Sequence, residues 1–445
     1  MSSSARVLVI DNDPAEAESL NRKLHGRGFQ TIAIKENMDA LDQVLNTRPD
    51  VVIISGGESA GSSLNLTRAL KGGNETSSVP VILITPSHCD SARADGLRAG
   101  ADACLPFPYH DLQLFGRIES LARLGTMQEE LRRRTNTAAK YGLKGPAPIL
   151  STGAVKDDAN FLLVGPAQDS FEEIEQALSD LGTLTHAQSP STAISYLERR
   201  RFDAILLNVP NGQENNFFQF AEDVRRNSRL FNIPLVCMMG TTASIDQTAP
   251  YTSGAADVFR HPINIGDFSA RVEVLVRQQR YRDALINGYG HARGVAVSDA
   301  LTGLYSHGFM MEHLGELVAE TQSQNRSLTL GIFTLDALAG INQQFGYNIG
   351  DKILRQIGML ISHLVRGEDL SARFSGRRFA LIMPETRLAP GEYVAYRIAS
   401  VINFTEIMEG DGAAPIRARV STGIASLAPG MSGEELIEAA IRNRK

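Results

Sequence analysis

The sequence predicts an α/β multidomain protein in which two doubly wound parallel-sheet domains precede a third domain. Short, continuously apolar runs such as residues 6–10 (RVLVI), 50–54 (DVVII) and 80–84 (PVILI) alternate with amphipathic helical stretches, the pattern of parallel strands buried on both faces. The pattern returns at similar length from residue 157, and the turn Gly100-Ala101-Asp102 reappears as Gly254-Ala255-Ala256-Asp257, which marks an internal duplication. A length of 445 residues with 43% apolar content leaves room for about three globular domains.

In the first domain, residues 1–140, the opening strand is closed by Asp11, Asn12 and Asp13. A helix with Leu20 and Leu24 on its apolar side follows, then a strand at 30–34, a helix around 40–45 and the strand at 50–54. The strand at 80–84, the Gly-Ala-Asp turn, a strand near 103–105 and a last helix from Asp111 complete the alternation. That helix is expected to run through residues 128–134 (QEELRRR) to Tyr141 and Gly142, its charges forming a solvated face. Gly145, Pro146, Pro148 and Gly153 mark a linker over 141–156. The second copy, 157–286, offers strands at 160–164, 202–207 and 234–239 and a last helix over 268–285. A polar hinge at 287–290 (NGYG) then opens the third domain, 287–445.

A net charge of −6 supplies no basic field for a nucleic acid polymer. An apolar strand starts after six residues with no cationic lead or long hydrophobic stretch, so neither a signal peptide nor a transmembrane segment is expected. Cys89, Cys104 and Cys237 are few, scattered and odd in number, which fits a reducing cytoplasm and buried thiols. No metal site and no required cofactor are expected.

Residues 1–140 resemble a response-regulator receiver domain, which has a flavodoxin-like fold, and 157–286 resemble a second one. The resemblance implies acids at the carboxyl ends of the first and third strands that hold Mg²⁺ and accept phosphate. Asp11, Asp13 and Thr85 remain, but Ser55 stands at the acceptor position of the first copy and Phe107 at the Lys position. A Ser cannot form the acyl phosphate, so Asp11 is expected to serve as a strand-end hydrogen-bond acceptor. The second copy has Gly165-Pro166 for the acid pair, Asn208 for the acceptor and His261 before Pro262, and is expected to be a structural adaptor with His261 hydrogen-bonded in its loop.

The third domain carries Asp299-Ala-Leu-Thr-Gly-Leu304, Asn342 through Asp351 (NQQFGYNIGD) and Arg373-Phe-Ser-Gly-Arg-Arg-Phe379 followed by Ala-Leu-Ile-Met-Pro384. It resembles a GGDEF (diguanylate cyclase) domain, an α+β fold with a mixed, largely antiparallel palm sheet. That family joins two GTP molecules into cyclic di-GMP with two Mg²⁺ ions, which need carboxylate ligands. The matching positions are Thr334 and Arg377, and the Glu expected to help deprotonate the hydroxyl is Arg378, which cannot accept a proton near neutral pH. A unit charge roughly 4 Å from a divalent ion at an effective dielectric of about 20 contributes on the order of 8 kcal/mol, and Arg for carboxylate reverses its sign. The usual Lys and His are Ala339 and Tyr347, and the sequence ends at Arg442-Asn-Arg-Lys445 ahead of the family's usual basic segment. Catalytic silence is the expectation. Asn342 and Asp351 match the positions that hydrogen-bond guanine, and local turn chemistry accounts for the same two residue types equally well.

Arg366 and Asp369 form an Arg-x-x-Asp pair five residues ahead of the signature, where the resemblance places an allosteric site for an intercalated dimer of cyclic di-GMP. Arg offers a planar fork to guanine O6 and N7 or to phosphate, and Asp accepts from guanine N1 and N2 hydrogens. Arg397 falls in register with a third family ligand on the following helix. Without its position, the pair would read as a surface ion pair worth a few tenths of a kcal/mol. Two receivers followed by a GGDEF domain is a known response-regulator architecture. A silent member with the allosteric site kept implies a cyclic di-GMP effector in the cytoplasm, recruited to the cell pole as an adaptor. It would deliver a cell-cycle regulator to an ATP-dependent protease through its receiver domains, and a homodimer is compatible. Two rivals stay open: a residual or partner-completed cyclase, and a GTP-sensing module using Asn342 and Asp351.

Overall fold

Among the described residues, ten β-strand/α-helix pairs build two parallel sheets of identical topology. The computed structural model describes the chain except residues 1–4, 36–38, 56–59, 74, 87–91, 144–157, 167–170, 228–229, 231–232, 241–248, 292–296 and 408–415, and the side chains of residues 60 and 286–291. Cys89 and most of the expected linker lie outside the described residues.

The first receiver-type domain runs β1 (Arg6–Ile10), α1 (Pro14–Arg27), β2 (Gln30–Ile34), α2 (Ala40–Thr47), β3 (Val51–Ser55), α3 (Ala60–Gly72), β4 (Val81–Pro86), α4 (Ala92–Arg98), β5 (Ala103–Phe107) and α5 (Asp111–Lys140). The second runs β6 (Ala159–Val164), α6 (Phe171–Leu178), β7 (Gly182–Ala187), α7 (Pro190–Arg199), β8 (Ala204–Val209), α8 (Glu214–Arg226), β9 (Leu235–Met239), α9 (Ala249–Thr252), β10 (Asp257–Arg260) and α10 (Ile265–His291). The sheet orders are β2-β1-β3-β4-β5 and β7-β6-β8-β9-β10, so each first strand lies second from the edge. All pairs are parallel, and β3, β8 and β9 are buried almost throughout, which is why their sequences are apolar without alternation.

Local chemistry sets the helix ends. Asp13 caps α1 by accepting from the amides of Ala15 and Glu16, with Pro14 at the first helical position and Gly28 in the left-handed conformation beyond. Asp13 is therefore occupied as a cap, and Asp11 Oδ1 accepts from the Asp13 amide at 2.9 Å. The hinge expected at 287–290 is instead part of α10, which continues to His291. Each Gly lowers helix stability by only about 1 kcal/mol relative to Ala, less than a continuous hydrogen-bond ladder supplies.

The chain divides into two compact units, and both receiver-type domains fall in one of them, residues Ala5–Gly125 with Ile149–Ala284. Within it, the two Gly-Ala-Asp turns meet the partner domain's last helix reciprocally. Asp257 accepts from Arg117 Nη2 of α5 at 2.7 Å and from Arg271 Nε of its own α10 at 2.8 Å. Arg271 Nη1 and Gln278 Nε2 in turn donate to the Asp102 carbonyl at 3.3 and 3.0 Å. Burial opposes the Asp257 charge, yet Arg117, Arg271 and Arg93 hold its carboxyl well below the usual range. Cys104 and Cys237 are buried free thiols, each pushed up to about 12 by burial.

The second unit holds Thr126–Pro148, the end of α5, together with Leu285–Lys445. Its elements are α11 (His307–Ser323), β11 (Leu328–Leu335), α12 (Leu338–Phe345), α13 (Tyr347–Leu364), β12 (Leu370–Ser375), β13 (Arg378–Pro384), α14 (Leu388–Phe404), β14 (Glu406–Ile407), β15 (Ile416–Arg417), β16 (Val420–Ser426) and α15 (Gly433–Arg442). The sheet order is β12-β13-β11-β16, and every described pair in it is antiparallel. Phe333, Phe379, Ile353 and Ile398 pack one face against α13 and α14, while Leu330, Ile382, Phe309 and Leu436 pack the other against α11 and α15. Among the described residues no helix is long and apolar enough to cross a membrane.

Candidate functional site

The Arg-x-x-Asp segment is the turn between α13 and β12. Helix α13 ends at Leu364, and the chain closes on itself as Asp369 N donates to the Arg366 carbonyl at 3.2 Å and Arg366 N donates to Asp369 Oδ2 at 3.1 Å. Arg397, exposed on α14, donates from Nη2 to the Leu364 carbonyl at 2.9 Å, so the three expected ligands converge on one turn. Arg366 Nη1 lies 4.0 Å from Glu368 Oε1. Glu368 and Asp369 are only 4% and 5% exposed, which turns the Asp369 carboxyl inward rather than toward solvent. Burial, and then the neighbouring Glu368, push Asp369 up to about 7 against the pull of Arg366.

Helix α5 supplies a residue that the sequence did not single out. Arg134 Nη2 donates to the Glu368 carbonyl at 2.7 Å, inside the turn, while its Nε donates to Glu130 Oε1 at 2.8 Å and its guanidinium lies over the Tyr305 ring at 5.7 Å. His313 Nε2 lies 2.7 Å from the same Glu130 oxygen. Burial alone would raise the Glu130 pKa, but the charges and hydrogen bonds of His313 and Arg134 hold it at about 2. Glu130 and Arg134 belong to the charge run expected to form a solvated face; both are buried, because His313, Tyr305 and the Glu368 carbonyl provide partners that water would otherwise supply. Only Arg132 of that run is exposed.

The positions matched to the cyclase's catalytic residues gather at the other end of β12. Thr334 is buried at the end of β11, paired with Arg378 on one side and Ser421 on the other. Arg377 stands exposed at the hairpin tip, its carbonyl accepting from Leu335 N at 2.9 Å, and neither Arg377 nor Arg378 has a carboxylate partner among the described residues. Asp336 accepts from the Arg444 guanidinium and from Ser421 Oγ at 3.2 Å. Arg444 thus stands against the Asp336 carboxylate. Ala339 and Asp351 are exposed. Arg373 donates to the Ser375 and Gly376 carbonyls, and the charges of Asp299 and Asp351 act on it, which places Asp351 toward the hairpin. Asn342 Oδ1 is buried without a hydrogen-bond partner, and a Cβ on Gly350 would meet it at 1.9 Å, so any larger residue at 350 must move the Asn342 side chain.

For Mg²⁺ this donor set is a Thr hydroxyl, one carboxylate paired with Arg444, and two guanidiniums; it does not fit. Among the described residues no group of three or more His, Cys, Asp or Glu side chains could hold a metal ion.

At the receiver positions, Ser55 is buried with its carbonyl facing Ser63 Oγ at 3.4 Å. Asn208 Nδ2 donates to the Pro166 carbonyl at 2.8 Å, and His261 Nε2 lies 3.4 Å from Asn208 Oδ1. Gly165 has φ 127°, and a Cβ there would meet the Asn208 carbonyl at 2.2 Å. The acid positions of the second copy are therefore closed by backbone and amide contacts.

Residues 296–443 match the family described as diguanylate cyclase, GGDEF domain. The chain thus carries a receiver-type N-terminal region followed by a GGDEF domain. It is 27% identical over 443 residues to the response regulator PleD of Caulobacter vibrioides (strain NA1000 / CB15N), covering 98% of this chain and 95% of PleD, and is a PleD-like response regulator tied to cyclic di-GMP signalling. A stretch of 120 residues is 33% identical to the response regulator MprA of Mycobacterium tuberculosis (strain ATCC 25177 / H37Ra), covering 27% of this chain and 51% of MprA. Among solved structures, the GGDEF domain of DgcB from Caulobacter crescentus in complex with c-di-GMP matches with 24% identity and a TM-score of 0.33, over 34% of this chain and 86% of that one.

Proposed function

We propose that this protein is a catalytically silent receptor for cyclic di-GMP and acts as a signalling adaptor. The observation that carries the reading is the convergence of Arg366, Asp369 and Arg397 on one turn, set against a corner in which Arg377 and Arg378 occupy the signature positions and the Asp336 carboxylate is paired with Arg444. The first cluster has the guanidinium donors that a guanine edge and a phosphate need, with the Asp369 carboxyl turned inward behind them, and an intercalated nucleotide dimer would present further guanine edges outward. The second has no ligand set for Mg²⁺ and no base. The receiver-type domains, with Ser55 and Asn208 at the acceptor positions, then serve as docking surfaces for protein partners. In this respect the chain resembles PopA, a silent relative of PleD, which implies a cytoplasmic adaptor recruited to the cell pole that presents a cell-cycle regulator for proteolysis.

The unpartnered Asn342 oxygen favours a second reading, a GTP-sensing site without catalysis. Titration separates the two. Arg366→Ala should weaken cyclic di-GMP binding by about 1.5–3 kcal/mol, tenfold to a hundredfold, while Asn342→Ala leaves it unchanged. The opposite pattern, with GTP as the ligand, would favour the sensor.

A further inference from the structure

The peptide group between Glu368 and Asp369 is held at both ends. Its N–H, from Asp369, donates to the Arg366 carbonyl at 3.2 Å, and its carbonyl, from Glu368, accepts from Arg134 Nη2 at 2.7 Å. Asp369 then accepts the Arg366 amide on Oδ2 at 3.1 Å. A peptide group is planar, so fixing this one plane orients the backbone from which Arg366 and Asp369 extend.

Arg134 is itself fixed. It is buried on α5, and its Nε donates to Glu130 Oε1, one helical turn away, at 2.8 Å. Glu130 is held in turn by His313 Nε2 at 2.7 Å and by Arg133 Nη1 at 3.5 Å. The Arg134 guanidinium lies over the Tyr305 ring, and Tyr305 is tied to the strand that leaves the turn: its amide donates to the Ser371 carbonyl at 3.2 Å, and Arg373 N donates to its carbonyl at 2.8 Å. A planar fork that reaches an acid and a carbonyl while stacking on a ring is a use of Arg that Lys does not reproduce.

The ionisable groups on the elements around the turn are Arg366 and Glu368 of the turn itself, Arg134, Arg133 and Glu130 on α5, His313 on α11 and Arg397 on α14. Burial and then Glu368 push the Asp369 carboxyl up, and Arg366 and then Arg134 pull it down. A neutral side chain at 134 would remove one of the charges that favour the carboxylate.

We propose that Arg134 is a positioning residue of the cyclic di-GMP site: it orients the Glu368–Asp369 peptide and supplies a buried positive charge that keeps the Asp369 carboxylate available. This rests on the reading of the Arg366 turn as the ligand site.

The test is calorimetric titration of cyclic di-GMP into the full chain between pH 6 and pH 8, for wild type, Arg134→Gln, Arg134→Lys, Arg366→Ala and Ile424→Ala. Ile424 is buried on β16, at the opposite sheet edge from β12, so its truncation lowers stability away from the turn. Arg134→Gln should weaken binding about tenfold and move its pH dependence to higher pH, because the carboxylate forms at higher pH once a cation is removed. Arg134→Lys should recover part of the affinity and keep the pH dependence in place. Ile424→Ala should bind as wild type does while unfolding at a lower temperature. If Arg134→Gln does not fold, Arg134→Lys decides: a loss of about threefold is expected, and no loss would overturn the proposal. Wild-type affinity in Arg134→Gln beside a weakened Arg366→Ala would overturn this inference and leave the reading of the turn intact. No saturable binding by wild type, or wild-type affinity in Arg366→Ala, would sink both. Equal weakening in both Arg134 variants and Ile424→Ala, or an unmoved pH dependence in Arg134→Gln, would reduce Arg134 to a structural contact and overturn the inference alone.

Discussion

Strand β12, six residues long, joins two corners of the GGDEF sheet that both present arginines and use them in opposite ways. At its start, Arg366 stands beside two buried acids, Glu368 and Asp369, in a turn closed by backbone and carboxylate contacts. At its end, roughly 20 Å away for an extended strand of this length, Arg377 and Arg378 occupy the hairpin without a carboxylate partner among the described residues. The difference is one of complementarity. A guanidinium beside an ionisable acid combines a donor fork with an acceptor, whereas guanidiniums without an acid offer donors alone. The β11–β13 and β11–β16 ladders are made by backbone groups and buried apolar side chains, whatever the hairpin tip carries.

The largest expected effect is at the catalytic corner. Incubation with GTP and Mg²⁺ should yield no cyclic di-GMP, and the single reversion Arg378→Glu should not restore synthesis, since Thr334, Arg377 and the Asp336–Arg444 pair remain; stoichiometric product in a chromatographic assay would break the contrast between the corners. Next comes the support of the ligand turn. Glu130→Ala leaves Arg134 and His313 without their buried carboxylate and should cost about 3–5 kcal/mol in denaturant unfolding, while a loss within experimental error would show the network to be incidental.

The smallest effect sharpens the comparison through pH. Asp369 is raised in the folded state from the ordinary 3.8 to about 7. An acid raised on folding costs stability where the unfolded chain has released its proton, so that cost is absent below about pH 4, grows as pH rises toward 7 and is full above it. Asp369→Asn should remove this slope. Because the carboxylate must be ionised to accept guanine N1 and N2 hydrogens, cyclic di-GMP affinity should rise between about pH 6 and pH 8 by up to roughly tenfold. A flat profile would show that Asp369 does not contact the ligand through its charge.

Much of this was legible in the sequence, and the reasons for the rest are specific. The five strands of the first receiver-type domain and the first, third and fourth strands of the second follow from apolar runs and from caps such as Asp13-Pro14, because those signals act within a few residues, whereas β7, only partly buried, carries no such run. The hinge expected at residues 287–290 failed for the converse reason: glycine and asparagine permit a break but do not impose one, and α10 runs through. The ligand turn could be placed by resemblance, but its inward-facing Asp369 could not. Arg134 meets Glu368 across 234 positions of sequence, and Arg444 meets Asp336 across 108, distances at which neither periodicity nor spacing carries a signal. The run around Glu130 looked solvated because its partners, His313 and Tyr305, are equally remote in sequence.

The central claim, that the chain holds cyclic di-GMP at the Arg366 turn, is tested most directly by the stoichiometry of binding. Calorimetric titration of the full chain should saturate at a nucleotide dimer per chain in wild type and show no saturable binding in the double variant Arg366→Ala, Asp369→Ala, with both proteins unfolding at comparable temperature. Saturation with the same stoichiometry and affinity in the folded double variant would contradict the account.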